Sequence, residues 1–170
     1  LSRGLGDVYK RQVYGGFNTS LSWKGFDLSA IFAYSIGGYI YNRDITMILH
    51  NGSLEGRDWS TEILKRWTPE NRYTDVPALS TTSNNWNSAS TRFLQNNSYM
   101  RLKNLTLSYD LPKQWISKLA LSSVQVFVQG DNLFTIHRNQ GLDPEQGITG
   151  ITYYRYPAMR TISGGINLSF

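Results

Sequence analysis

The final ten residues of the chain alternate strictly between two kinds of side chain, and this constrains the fold most. One set of positions is polar or small (Thr161, Ser163, Gly165, Asn167 and Ser169), and the other is mainly apolar (Ile162, Gly164, Ile166, Leu168 and Phe170). A period of two predicts a β-strand with one apolar and one polar face. A strand of about 9–11 residues crosses a bilayer in a barrel. The segment alone fits a membrane barrel and the edge strand of a soluble β-sandwich equally well.

Four further segments have the same period and are predicted as strands. They are Val13–Ser22, Phe26–Tyr34, Ser98–Leu111 and Ser122–Phe134. Trp23–Gly25 is a tight connection between the first two, which indicates a hairpin. Pro112 ends the third strand because proline cannot donate to a strand ladder.

The connections alternate between short and long down the chain. Short ones lie at Trp23–Gly25 and Pro112–Leu121, and long ones at Gly37–Asn97 and Gln140–Pro157. This pattern is typical of a transmembrane barrel, which has short periplasmic turns and long extracellular loops. We therefore expect an all-β fold, an antiparallel transmembrane β-barrel segment with long extracellular loops.

A short helical piece is expected inside the first long loop. Between Asp58 and Trp67, the apolar residues Trp59, Ile63 and Trp67 recur at helical spacing. Glu62 and Arg66 are four residues apart and form a predicted ion pair on that helix.

Composition and charge exclude several other classes of protein. Charged residues make up 17% of the chain and aromatic residues 14%, which is charge-poor for a soluble domain. The longest apolar stretch, Leu28–Tyr41, is interrupted and is shorter than a membrane-spanning helix. The net charge of +5 is scattered without a basic cluster, so we expect no nucleic-acid partner. No cysteine is present, which rules out disulfides and thiolate chemistry.

The residues that could carry catalysis or bind a metal have simpler explanations. His50 and His137 have no partner at metal-ligand spacing and are interpreted as solvated loop histidines. Asp143-Pro144-Glu145 brings two carboxylates close together, but Gly141-Leu142-Asp143-Pro144 is interpreted more simply as a turn. We therefore expect no catalytic residue, no metal site, no cofactor and no enzymatic activity.

Aromatic side chains in the long loops are candidates for ligand or partner contacts. They are Trp59, Trp67, Trp86, Tyr153 and Tyr154. Such rings stack on ligands or anchor protein partners, and they also pack loops against one another. Both interpretations stay open from the sequence.

Several segments resemble one family of outer-membrane transporters. Ser98–Pro112 resembles the signature S-Y-L-R-L-K-N-L-T-L-G-Y-T-L-P of the C-terminal part of SusC/RagA-type TonB-dependent transporters. Their other elements have counterparts in the same order at Lys24–Ser29, Arg66–Asn71, Val126–Phe134, Gly141–Glu145 and Tyr156-Pro157. The resemblance extends from Val13 to Phe170.

The resemblance implies a place and a function. Members of the family are barrels of about 22 strands in the bacterial outer membrane, with an N-terminal plug. They import glycans, oligosaccharides or peptides, with a SusD-like lipoprotein at the extracellular mouth and TonB acting on the N-terminal region. The chain is expected to be the last five or so strands of such a barrel, without the plug or the TonB contact.

The resemblance also implies roles for individual residues. Residues expected to face outer-membrane lipid are Val124, Val126, Val128, Ile162, Ile166 and Leu168. Residues expected to face the lumen are Gln125, Gln129, Asp131, Asn167 and Ser169. Phe170 is expected to be the assembly signal that the barrel-insertion machinery reads.

Residues 1–12 do not fit this organisation. They have no strand period and are interpreted as a non-native leader, with 13–170 as the barrel portion. Two alternatives remain open: a passive porin-type barrel, and a soluble or surface β-sandwich that binds carbohydrate through loop aromatics.

Overall fold

The computed structural model describes residues 13–50, 54, 56–80, 82, 88–117, 121–139, 143–145, 151–152 and 154–170. Within these residues the chain divides into two compact units. The larger unit contains the described parts of 13–38, 97–145 and 156–170, and the smaller contains those of 39–96 and 146–155. The leader predicted at 1–12 lies outside the described residues.

The larger unit contains one five-stranded antiparallel sheet. Its strands are β1 (Val13–Trp23), β2 (Phe26–Ile36), β5 (Tyr99–Asp110), β6 (Ser123–His137) and β8 (Thr161–Ser169). They lie in the order β1-β2-β5-β6-β8, so each pairs with the one before it along the chain. All five predicted strands are confirmed, and β2 and β6 extend further toward the long loops than the alternation indicated.

Both short connections lie at one end of this sheet. Lys24 (φ +49°) and Gly25 (φ +88°) form a two-residue turn in which both residues have positive φ, the type I′ geometry that matches strand twist. The backbone N–H of Asp110 on β5 donates to the carbonyl of Gly25 at 2.8 Å. The connection after Asp110 holds a short helix, α2 (Lys113–Ile116).

The sheet contains an irregularity that changes which way Arg101 faces. Ile31 of β2 is aligned with Asn104 of β5 and Asp131 of β6, and the next aligned set is Phe32, Leu102 and Phe134. Between these two sets β2 has no additional residue, whereas β5 has one, Lys103. β6 has two intervening residues there, which preserves its alternation. Because one extra residue reverses the alternation of a strand, Arg101 lies on the opposite face from the one that counting back from Leu105 would give.

One face of the sheet is apolar along its length. Leu21, Leu28, Leu107 and Val128 align in one row across four strands, and the next row holds Trp23, Phe26, Tyr109, Val126 and Ile166. The large exposed side chains of this face include Phe17, Leu21, Trp23, Phe26, Leu28, Leu107, Val126, Val128, Phe134, Ile136, Ile162, Ile166 and Leu168. The sheet therefore presents a broad uncovered apolar surface.

The smaller unit is built around a three-stranded sheet. β3 (Tyr39–Asn42) pairs antiparallel with β4 (Leu94–Asn96) and parallel with β7 (Ile151–Thr152). α1 (Arg43–Ile48) follows β3. Its N-cap residue is Asn42, whose Oδ1 accepts from the N–H of Ile45 at 3.0 Å. These strands, of two to four residues, were not predicted, because a period of two is not recognisable over so few positions.

The predicted helix at Asp58–Trp67 is much shorter in the structure. A 3₁₀ helix covers Thr61–Lys65, and a second covers Thr91–Phe93. The predicted Glu62–Arg66 pair is wrong: Glu62 pairs instead with Lys65, with Nζ to Oε1 at 2.8 Å. Side chains three residues apart eclipse in a 3₁₀ helix, which explains the change of partner. Among the described residues, no helix combines the length and apolar character that crossing a membrane requires.

Candidate functional site

An ion-pair cluster lies where the second long loop leaves the five-stranded sheet. Arg101 of β5 donates from Nε to Thr135 Oγ1 at 2.9 Å, from Nη1 to Glu145 Oε2 at 2.9 Å, and from Nη2 to Asp143 Oδ1. The side chains of Arg101 and Asp143 are 4% and 7% exposed. A buried guanidinium is tolerated because each of its nitrogens has an acceptor.

Asp143 connects three segments of the chain. Its Oδ1 accepts from the N–H of Glu145 at 2.9 Å, and its Oδ2 from the N–H of Ala158 at 2.7 Å. Burial raises the pKa of the Asp143 carboxyl, but the hydrogen bonds from Ala158, Glu145 and Arg101 outweigh that effect and hold its pKa below the usual value. The turn predicted at 141–144 lies partly outside the described residues. Asp143 and Glu145 are both bound to Arg101 of β5.

Lys103 extends the cluster toward solvent. Its Nζ lies 2.5 Å from Glu145 Oε2, and both side chains are about one-third exposed, at 33% and 32%. Lys103 is the extra residue of β5, so the irregularity that turns Arg101 also presents this second cation to the loop.

A cavity of about 450 Å³ lies beside the Arg101–Asp143 pair. The residues that line it are Arg101, Asn132, Phe134, Thr135, His137, Asp143, Pro144, Pro157, Ala158 and Arg160. All belong to the larger unit. Its volume is in the range of small-molecule sites.

The residues predicted to face the lumen share the face of the sheet that carries Arg101. Gln125 lies opposite Asn167, whose Nδ2 donates to Gln125 Oε1 at 3.1 Å, and Asp131 accepts from Asn104 Nδ2 at 2.8 Å. Gln129 Nε2 donates to Asp131 over 3.3 Å, and Ser169 is aligned with Ser123. This face is the polar one.

Phe127 interrupts the polar face. It lies opposite Gly165, and a Cβ at Gly165 would come within 2.9 Å of the Phe127 ring. The glycine therefore leaves space for an aromatic ring to lie across the neighbouring strand.

The residues predicted to face lipid share the opposite face. Val124, Val126 and Val128 align with Leu168, Ile166 and Gly164, and Ile162 aligns with Gly130. The side chains of Val126, Val128, Ile162, Ile166 and Leu168 are exposed, whereas Val124 is buried. Phe170 follows the last strand and is 90% exposed.

Three of the predicted loop aromatics, Trp59, Trp67 and Tyr154, lie within the described residues, and each has a different partner. Trp59 lies edge-on to His50, with ring centroids 5.4 Å apart, and the backbone N–H of Trp67 donates to the carbonyl of Val76. Tyr154 Oη accepts from Arg57 Nη1 at 2.8 Å, and its N–H donates to Asp44 Oδ1. Trp86 and Tyr153 lie outside the described residues.

The interpretation of His50 as a solvated histidine is wrong. His50 is 1% exposed and packs against Trp59. Neither of its ring nitrogens has a hydrogen-bond partner in the part of the chain that the structure describes. His137 lies at the end of β6 and its Nδ1 is 2.9 Å from the carbonyl of Asn139. Across the described ranges, no group of three or more His, Cys, Asp or Glu side chains is placed to hold a metal ion.

Comparisons with known proteins agree on one family, although no protein-family model matches the chain. The chain is 33% identical over 166 residues to TonB-dependent receptor P3 of Formosa agariphila, covering 91% of this chain. It is 28% identical over 167 residues to TonB-dependent receptor SusC of Bacteroides thetaiotaomicron, covering 96% of this chain. In both cases the chain spans 16% of the relative's length.

Solved structures give the same result. The structure is similar to one described as the RagAB peptide importer in the open-open state, with a TM-score of 0.84, 34% identity and coverage of 95% of this chain and 17% of that chain. A structure of the RagAB peptide transporter gives a TM-score of 0.82 at 35% identity, covering 92% and 17% of the two chains.

The sheet and these matches define a segment of an antiparallel transmembrane β-barrel. Within that class, the chain belongs to the TonB-dependent receptors of the SusC/RagA type. Because such receptors are outer-membrane proteins of Gram-negative bacteria, the chain is located in the outer membrane.

Proposed function

We propose that this chain forms part of the barrel wall of a TonB-dependent importer that takes up glycans, oligosaccharides or peptides. The observation that carries the proposal is the five-stranded sheet with one apolar and one polar face. It belongs to a chain whose structure matches the RagAB peptide importer at a TM-score of 0.84. The chain spans 16% of the length of its curated relatives, so the activity belongs to the whole receptor.

The two faces of the sheet support this role. A barrel wall needs an apolar surface toward lipid and a polar surface toward the lumen. We propose that the face of Val126, Val128, Ile162, Ile166 and Leu168 contacts lipid and that the face of Gln125, Gln129, Asp131, Asn167 and Ser169 lines the lumen. The exposed apolar face argues against a soluble β-sandwich, which would bury it against a second sheet.

The partners follow from the same proposal. A SusD-like lipoprotein covers the extracellular mouth, and TonB acts on a region outside this chain. Phe170 and the strand before it serve the barrel-insertion machinery, which the exposure of Phe170 supports. We assign no catalytic role, because the relatives are named as receptors, importers and transporters.

Gene deletion in the host tests the proposal. The deletion strain is grown on single glycans and on peptides as the only carbon source, and complemented with the full-length receptor or with a form that lacks the TonB-contact region. We expect loss of growth on one substrate class, restored by the first form only. Equal growth with both forms would exclude TonB coupling and favour a passive porin.

A further inference from the structure

We propose that the cavity beside the Arg101–Asp143 pair binds a carboxylate group of the transported molecule, with Arg160 as the residue that recognises it. The inference rests on the proposed function, since it names the chemistry of what that importer carries. It concerns only the cavity in the larger unit, whose lining residues lie at the loop end of the sheet.

The charges that line the cavity leave one cation uncompensated. Arg101 and Asp143 neutralise each other, and both oxygens of Asp143 already accept hydrogen bonds. Glu145, which also binds Arg101, is shared with Lys103. Arg160 has no ion-pair or hydrogen-bond partner within the described ranges. The wall therefore attracts an anion.

The chemistry of Arg160 favours a carboxylate in particular. A guanidinium presents paired N–H donors in a planar fork that matches the two oxygens of a carboxylate. Arg101 is less accessible to a ligand, because its side chain is 4% exposed and three of its five N–H groups already donate to Thr135, Glu145 and Asp143. Arg101 therefore has a structural role in the lining of the cavity, and Arg160 is the arginine available to bind the ligand.

A neighbouring group can bind a hydroxyl or an amide of the same ligand. His137 lines the cavity, and its Nδ1 is 2.9 Å from the carbonyl of Asn139. In the tautomer in which Nδ1 donates to that carbonyl, Nε2 is left as an acceptor. Both a uronic acid and a peptide C-terminus carry a carboxylate near a hydrogen-bond donor. At about 450 Å³ the cavity accommodates one such terminal group.

Two matched pairs of probes test the inference on the full-length receptor in detergent. Trigalacturonate is compared with its methyl ester, and a tripeptide with a free C-terminus is compared with its amide, by titration calorimetry. We expect one acid probe to bind about tenfold more tightly than its neutral partner, as for one charge-assisted pair at a partly exposed site. The pair that shows the preference identifies the source of the carboxylate.

Variants assign the preference to the cavity. Arg160→Gln is expected to abolish the tenfold preference, while Arg138→Gln, which removes the same charge from an exposed arginine outside the cavity, is expected to leave it intact. The inference is overturned if no acid probe is preferred, if no probe binds, or if both variants lower the preference equally. A receptor that still supports TonB-dependent growth without any acid preference refutes this inference and leaves the proposed function standing.

Discussion

The guanidinium of Arg101 on β5 is buried against the carboxylate of Asp143, 42 residues further along the chain. Through the N–H of Ala158, the same carboxylate binds the segment that leads into β8. One ion pair therefore joins a barrel strand, the turn at 143–145 and the approach to the last strand. Its strength decides how firmly this loop end is held.

Replacing Arg101 by Met should free the loop end from the sheet. Loss of one partner leaves the Asp143 carboxylate buried without its counter-ion, which typically costs about 3–5 kcal/mol. Hydrogen exchange at the Ala158 amide of the full-length receptor is expected to accelerate about a hundredfold or more. Lys103→Met is the control, because its pair is partly exposed and contributes about 1 kcal/mol or less. Unchanged exchange in Arg101→Met would show that the pair does not hold the loop.

The depressed pKa of Asp143 predicts how the loop responds to acid. A carboxyl whose folded pKa lies below its unfolded value of 3.8 adds stability above that value, and this stability is lost as the pH falls through the folded pKa. Cleavage of the loop by an acid-active protease should therefore be slower in the native receptor than in Asp143→Asn at pH 5. The difference should disappear below the folded pKa. A difference that does not shrink as the pH is lowered progressively below 3.8 would contradict the assignment.

Gly165 and Phe127 should behave as a coupled pair. A Cβ at position 165 would come within 2.9 Å of the Phe127 ring, so Gly165→Ala forces the ring to move, at a cost of about 1–3 kcal/mol. Phe127→Ala removes the obstacle, and the double variant should recover part of that loss. The folded fraction of the native receptor, the two single variants and the double variant is measured from the heat-dependent mobility of the receptor on gels. Strictly additive effects would mean that the two residues do not interact.

The turn between β1 and β2 should respond oppositely to changes at its two residues. Lys24 has φ +49°, a conformation that asparagine adopts more readily than lysine, so Lys24→Asn should stabilise the hairpin by about 0.5–1 kcal/mol. Gly25 has φ +88°, and its Cβ would lie 3.1 Å from the carbonyl oxygen of Asp110, so Gly25→Ala should destabilise it. Urea unfolding of the receptor in lipid vesicles measures both. Equal effects of the two changes would contradict the turn geometry.

The strands could be predicted from the sequence, but the contacts at their loop end could not. Five strands and the order of their connections follow from alternation over nine or more residues each. Alternation counted back from Leu105 would place Arg101 on the apolar face, and only the extra residue Lys103 reverses it. The partner of Arg101 is also distant in sequence, so no local pattern indicates the pair. The burial of His50 depends on tertiary packing, so it also could not be predicted from the sequence.

The assignment of the two faces can be tested within β8 by one matched pair of substitutions. Ile166 and Asn167 are adjacent, and their registers place them on opposite faces, beside Val126 and Gln125 respectively. A lysine toward lipid costs about 2–4 kcal/mol at the middle of the bilayer and less near the interfaces, whereas a lumen-facing lysine remains hydrated. Ile166→Lys should therefore reduce the folded receptor in outer-membrane fractions, and Asn167→Lys should assemble almost normally despite losing its hydrogen bond to Gln125. The opposite result would mean that the polar face of the sheet, which carries Arg101, does not line the lumen.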